Sequence, residues 1–164
     1  MIRFLDAVSV KLGHAVSWLT LSMVLVTFVI VVMRYVFGTG LIWLQESVTW
    51  MHAAVFMLGA AYTLQQEEHV RVDIFYRKMT ARPRAWVNLL GVIVFIFPMS
   101  GFFAYASLDY VSAAWTIREV SRNSGGLPYP FIPLLKSVLL IMPVAVALQG
   151  LSLLLRSARI LKGR

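Results

Sequence analysis

Few residues in this sequence are of types that do chemistry, and their spacing narrows what they can do. There is no cysteine, which excludes disulfides, thiolate metal sites and cysteine nucleophiles. The three histidines are His14, His52 and His69. Glu46, Thr49 and His52 recur at i+3 and so share one helical face. In an apolar segment such a stripe faces protein rather than acyl chains. It reads either as a proton relay or as helix–helix hydrogen bonding. One histidine with one boundary carboxylate favours the second. His14 and His69 lie at segment ends, where neither readily completes a mid-membrane axial pair for a haem with His52. Arg34 and Glu46 flank a short turn. They form an ion pair that fixes the hairpin or docks a partner helix, or they snorkel separately to the boundary, or, as a minor alternative, they belong to a substrate site. Ser17, Ser100 and Ser137 have no base or oxyanion donors within a recognisable spacing, so no enzyme is expected, and no cofactor.

The elements that position these residues follow from composition. The chain has 164 residues, 60% hydrophobic and 13% charged, which a soluble domain cannot hide from water. The fold class expected is all-α integral membrane, one four-helix domain over 1–164, with spans at about 14–36, 44–65, 86–108 and 134–155. The run without charge from 12 to 33 has no A-x-A-like site after it and reads as a retained helix rather than a leader. Residues 1–13 carry Leu5, Val8 and Leu12 on one face and are expected as a short interfacial helix, the alternative being the solvated start of the first span. Pro98 should bend the third span. The helix should continue past Asp109 and Trp115 until Asn123-Ser124-Gly125-Gly126-Leu127-Pro128 stops it, within a helix extension and loop at 109–133. Pro130 and Pro133 should keep the next residues extended or in turns. Asn88 and Gln149 read as interhelical hydrogen-bonding groups. No internal repeat or inverted half is apparent.

Charge orients these spans. The formal charge is +8, but the basic residues sit at segment ends, as topology charges do, and no nucleic-acid partner is expected. Eleven of the fifteen Lys and Arg fall at the two termini or in the central loop 66–85. The other four, Arg34, Arg118, Arg122 and Lys136, fall at the opposite end. Both termini and the central loop are therefore expected in the cytoplasm.

Read in order, R-Y-V-F (34–37), W-L-Q-E (43–46), F-M-L-G-A-A-Y-T-L (56–64), H-V-R-V-D-I-F-Y (69–76), R-P-R-A-W (82–86), G-G-L-P (125–128) with Lys136, and L-Q-G-L (148–151) resemble the small membrane (Q-type) subunit of the tripartite ATP-independent periplasmic (TRAP) transporters. The resemblance runs from about Trp18 to Leu155. It implies a multi-pass protein of a bacterial or archaeal cytoplasmic membrane. Its partners would be the phospholipid bilayer, a large multi-helix membrane subunit on a separate chain, and a periplasmic substrate-binding protein. The large subunit would move a small organic acid by a sodium-driven elevator motion, and the small one would stabilise it. Arg34 and Glu46 would match the family's charged outer hairpin, His69, Arg71 and Asp73 its inner loop, and Gly125, Gly126, Leu127 and Pro128 its outer corner. The segment Tyr129-Pro130-Phe131-Ile132-Pro133 is longer and richer in proline than the pattern. Two other classes compete: a self-sufficient homodimeric transporter, and a haem- or quinone-binding membrane anchor.

Overall fold

The computed structural model describes residues 2–66, 76 and 78–163. Within them lie four long helices: α1 (Ile2–Tyr35), α2 (Ile42–Gln65), α3 (Ala81–Thr116) and α4 (Phe131–Leu161). All four are long and apolar enough to cross a membrane. Hydrocarbon offers no hydrogen bonds to a backbone, and a helix satisfies its own N–H and C=O groups within the segment.

Residues 2–13 do not form a separate interfacial helix. They are the first turns of α1, which runs unbroken for 34 residues, a length of about 51 Å. Two contacts hold this stretch in line. Gly13 lets the Tyr62 ring of α2 lie against the α1 backbone, where any Cβ would overlap the ring. Asp6 and Ser9 bond to α4, so α4, and not solvent alone, receives the start of the first span. At its other end α1 turns through Gly38, whose φ of 65° is a left-handed conformation that glycine adopts without strain.

Pro98 is accommodated by a π turn over Val92–Ile96. The Phe97 N–H reaches back to the Val92 carbonyl, which adds a residue to the turn just before the proline ring. Val92 is fully buried there. Gly150 of α4 packs on this turn, and a Cβ at Gly150 would stand 2.9 Å from Ile96 Cγ2.

The end of α3 differs from expectation. The helix stops at Thr116, well before the Asn-Ser-Gly-Gly-Leu-Pro run. Arg118 takes φ 48°, its N–H bonds to Trp115 O, and the Glu119 N–H bonds to Ala114 O. This pair of bonds is a Schellman ending with arginine where glycine is usual. The start of α4 differs too, because Phe131 already opens the helix. Pro133 lies in its first turn, where a missing N–H leaves nothing unpaired.

All the other helices share α4. α1, α2 and α3 each pack on it and α1 runs along α2, while α3 hardly touches the first two. Eight residues of α4 are buried, against three in α1 and three in α2. Ala145, Gly150, Ser152 and Ser157 are among the eight, and small side chains let helices approach closely in lipid.

Candidate functional site

The charged side chains that bond between segments gather at the two ends of the helices. At the end away from the termini, Glu46 stands in the second turn of α2 and holds the loop that joins α3 to α4. Its Oε1 accepts hydrogen bonds from Ser121 Oγ at 2.5 Å and Asn123 Nδ2 at 2.7 Å. Its Oε2 accepts from the Leu127 backbone N–H at 2.7 Å. The loop is folded to present these donors. The Asn123 N–H donates to Ser121 Oγ, the Ser121 N–H to Leu127 O, and the Gly126 N–H to Asn123 O. Gly125 has φ 76°. Gly126 is needed for closeness instead, since a Cβ there would stand 2.7 Å from Glu46 Oε2. Leu127 is buried and Pro128 begins the turn into α4, its carbonyl accepting from the Phe131 N–H.

A second tie lies beside the first. Lys136 Nζ meets Glu119 Oε2 at 2.6 Å and sits 3.8 Å from the centre of the Tyr110 ring. Trp115 Nε1 donates to Ser137 Oγ, and Trp50 Nε1 to Phe131 O. Both indole N–H groups are thus satisfied by α4, and Trp115 places its apolar body at the end of α3, as in an aromatic belt.

At the end that carries the termini, Asp6 and Ser9 of α1 face Gln149, Ser152 and Arg156 of α4. Asp6 Oδ1 accepts from Ser152 Oγ at 2.7 Å and from Gln149 Nε2 at 3.3 Å. Asp6 Oδ2 pairs with Arg156. Ser9 Oγ donates to Gln149 Oε1 at 2.8 Å. Gln149 and Ser152 are buried, so the network closes the seam between α1 and α4. Asn88 accepts a hydrogen bond from Tyr76 OH in the connection before α3.

Of the candidate residues, the structure brings together Glu46, Gly126 and Leu127, with Gly125 and Pro128 shaping the loop between them. Arg34 is exposed and makes no ion pair with Glu46. The carboxylate is already occupied by three donors on the loop. Thr49 and His52 do not continue the Glu46 cluster; they line a groove beside α1. Lys136 finds Glu119. His69, Arg71 and Asp73 lie outside the described residues. Asp6, Ser152 and Arg156 escaped the sequence reading. Their signal was present: Asp6 and Ser9 at i+3, and Gln149, Ser152 and Arg156 at i+3 and i+4, form two polar stripes in otherwise apolar helices.

This is a four-helix integral membrane protein in which Glu46, the Lys136–Glu119 pair and the Asp6–Arg156 pair tie its own segments together near the helix ends. Residues 23–160 match the family described as Tripartite ATP-independent periplasmic transporters, DctQ component, and the chain belongs to that family. Over 71 residues it is 32% identical to the C4-dicarboxylate TRAP transporter small permease protein DctQ of Vibrio cholerae serotype O1 (strain ATCC 39315 / El Tor Inaba N16961). That stretch covers 43% of this chain and 31% of the relative, less than a third of the relative's length. No solved structure matches the chain. It is a multi-pass inner-membrane protein and a small subunit of a TRAP transporter.

Proposed function

We propose that this chain is the scaffold subunit of a sodium-coupled importer of a small organic acid. It holds and widens a large elevator-type membrane subunit carried on a separate chain, to which a periplasmic binding protein delivers the substrate. One observation carries the reading. Of the described carboxylates, Glu46, Glu119 and Asp6 bind residues of the same chain near helix ends, and Asp109 is exposed seven residues before the end of α3. None stands at the middle of a span, where a carrier needs its substrate and ion site. The loop 117–130, held by Glu46 and Lys136, is the surface offered to the binding protein, with Arg118 and Arg122 exposed on it. A carboxylate substrate is supported by the name of the Vibrio relative.

The test is affinity purification in mild detergent with mass spectrometry of what accompanies the chain. A stoichiometric, much larger and very hydrophobic protein is the expected companion. Reconstituted alone in liposomes, the chain should move no organic acid down a sodium gradient. Transport by the chain alone would replace this reading with a self-sufficient homodimer, and a Soret band in the pure protein would replace it with a haem anchor.

A further inference from the structure

Two grooves run in line along one side of the α1–α2 pair. One, of about 440 Å³, is lined by Met23, Val24, Thr27, Val48, Thr49 and His52. The other, of about 650 Å³, continues it past Thr20, Phe56, Gly59, Ala60 and Thr63. On α2 the lining residues 49, 52, 56, 59 and 63 recur at i+3 and i+4, so they form one furrow. From Val48 to Thr63 it is about 22 Å long, most of the hydrocarbon depth.

Most hydroxyls along the furrow return to their own helix. Thr49 bonds to Gln45 O, Thr63 to Gly59 O, Thr20 to Val16 O and Ser17 to His14 O. Such groups are content against acyl chains. Thr27 and His52 are not. Both are exposed, and neither makes a hydrogen bond among the described residues. The imidazole lies beside the Phe56 ring, with centroids 4.7 Å apart. His52 is the eleventh of 24 residues in α2, close to the middle of the span. Polar groups at that depth face protein or water, because hydrocarbon leaves them unpaired.

We infer that a transmembrane helix of the large membrane subunit lies in this furrow and presents a hydrogen-bonding side chain to His52 and Thr27. The inference rests on the function proposed above and names the face that makes the contact. The furrow spans most of the hydrocarbon depth, so its occupant is a whole transmembrane helix, which the large subunit has to offer; a ridge of a second copy, seated off the two-fold axis, is the competing occupant that the test reads. An acyl chain fits the volume but leaves both polar groups unsatisfied. The small residues Gly59 and Ala60 permit the close backbone approach that helix pairs in lipid use.

The test uses the chain co-expressed with the large subunit that the affinity purification identifies, with a benzophenone side chain placed at Thr49. Illumination of the purified complex should join the two chains. A complex that is recovered intact but yields only lipid adducts, or adducts between two copies of this chain, overturns the inference while leaving the scaffold reading in place. Failure of the wild-type chain to recover any large subunit overturns both. A second measurement compares His52→Leu with His52→Gln. Both should leave the unfolding midpoint of the isolated chain unchanged, since the side chain packs on little within it. His52→Leu should weaken the complex by about three-fold to twenty-fold in its dissociation constant, and His52→Gln should restore most of the affinity. Equal affinity for wild type and His52→Leu would remove the proposed bond.

Discussion

Glu46 accepts three hydrogen bonds from one loop, so removing it strands three donors at once. Glu46→Ala should destabilise the chain by about 1–3 kcal/mol, the usual loss when polar partners are left without an acceptor. Glu46→Gln should fall between, because its amide offers one acceptor oxygen and sets an N–H₂ against at least one donor. Gly126→Ala acts on the same clamp from the other side, since its methyl would stand where Glu46 Oε2 and Ser121 now are. The two changes disrupt one interaction, so the double variant should be no less stable than the worse single one. Unfolding midpoints in detergent read all four variants. Strictly additive losses would mean that the loop and the carboxylate act separately. The sequence brought Glu46 and Gly125-Gly126-Leu127-Pro128 into view as separate candidates. For Glu46 it offered an ion pair with Arg34 or two separate boundary charges, because only chain proximity was legible. The true donors are some 80 residues away and come close only when α2 and α4 pack.

Among the elements, α4 is the one whose failure should unfold the rest. The Asp6 network docks the first turns of α1 on it. Asp6→Ala leaves the buried Ser152 hydroxyl and Gln149 amide without their acceptor, and should destabilise by about 1–3 kcal/mol. Arg156→Ala should lose less, about 0.2–1 kcal/mol, since Arg156 is 39% exposed and water replaces its partner. A double-mutant cycle on the two residues checks this, and equal losses from both single changes would contradict it. The helical nature of 2–13 was legible from Leu5, Val8 and Leu12. Its continuity with α1 stood only as the alternative, because the residues that hold it in line, Tyr62, Gln149 and Ser152, belong to other helices. The same holds for the end of α3. The glycines mark 123–128 as the stop in the sequence, but the helix ends at Thr116 with Arg118 in the left-handed region.

For the whole molecule, the distribution of charge carries a prediction about sidedness. With eleven of fifteen basic residues at the end bearing the termini and the central loop, that end should face the cytoplasm. The chain has no cysteine, so a single introduced thiol is the only one it carries. Lys78→Cys should react with an impermeant maleimide only after the inner membrane is opened, and Ser124→Cys in intact spheroplasts. The reverse pattern would invert the topology and place the Glu46 loop in the cytoplasm, away from any periplasmic protein.

What the sequence determined by itself was the number of spans, their helical nature and the family. Uncharged runs of twenty or so residues have one stable form in lipid, and order and spacing of short motifs survive in the linear chain. What only the tertiary structure decided was which polar groups meet. It paired Glu46 with the 121–127 loop, Asp6 with Ser152 and Arg156, and Lys136 with Glu119, and it left Thr27 and His52 facing outward. Helical periodicity assigns a residue to a face of its own helix. Which helix covers that face depends on packing between segments far apart in the chain, and over His52 the described residues of the chain pack no helix.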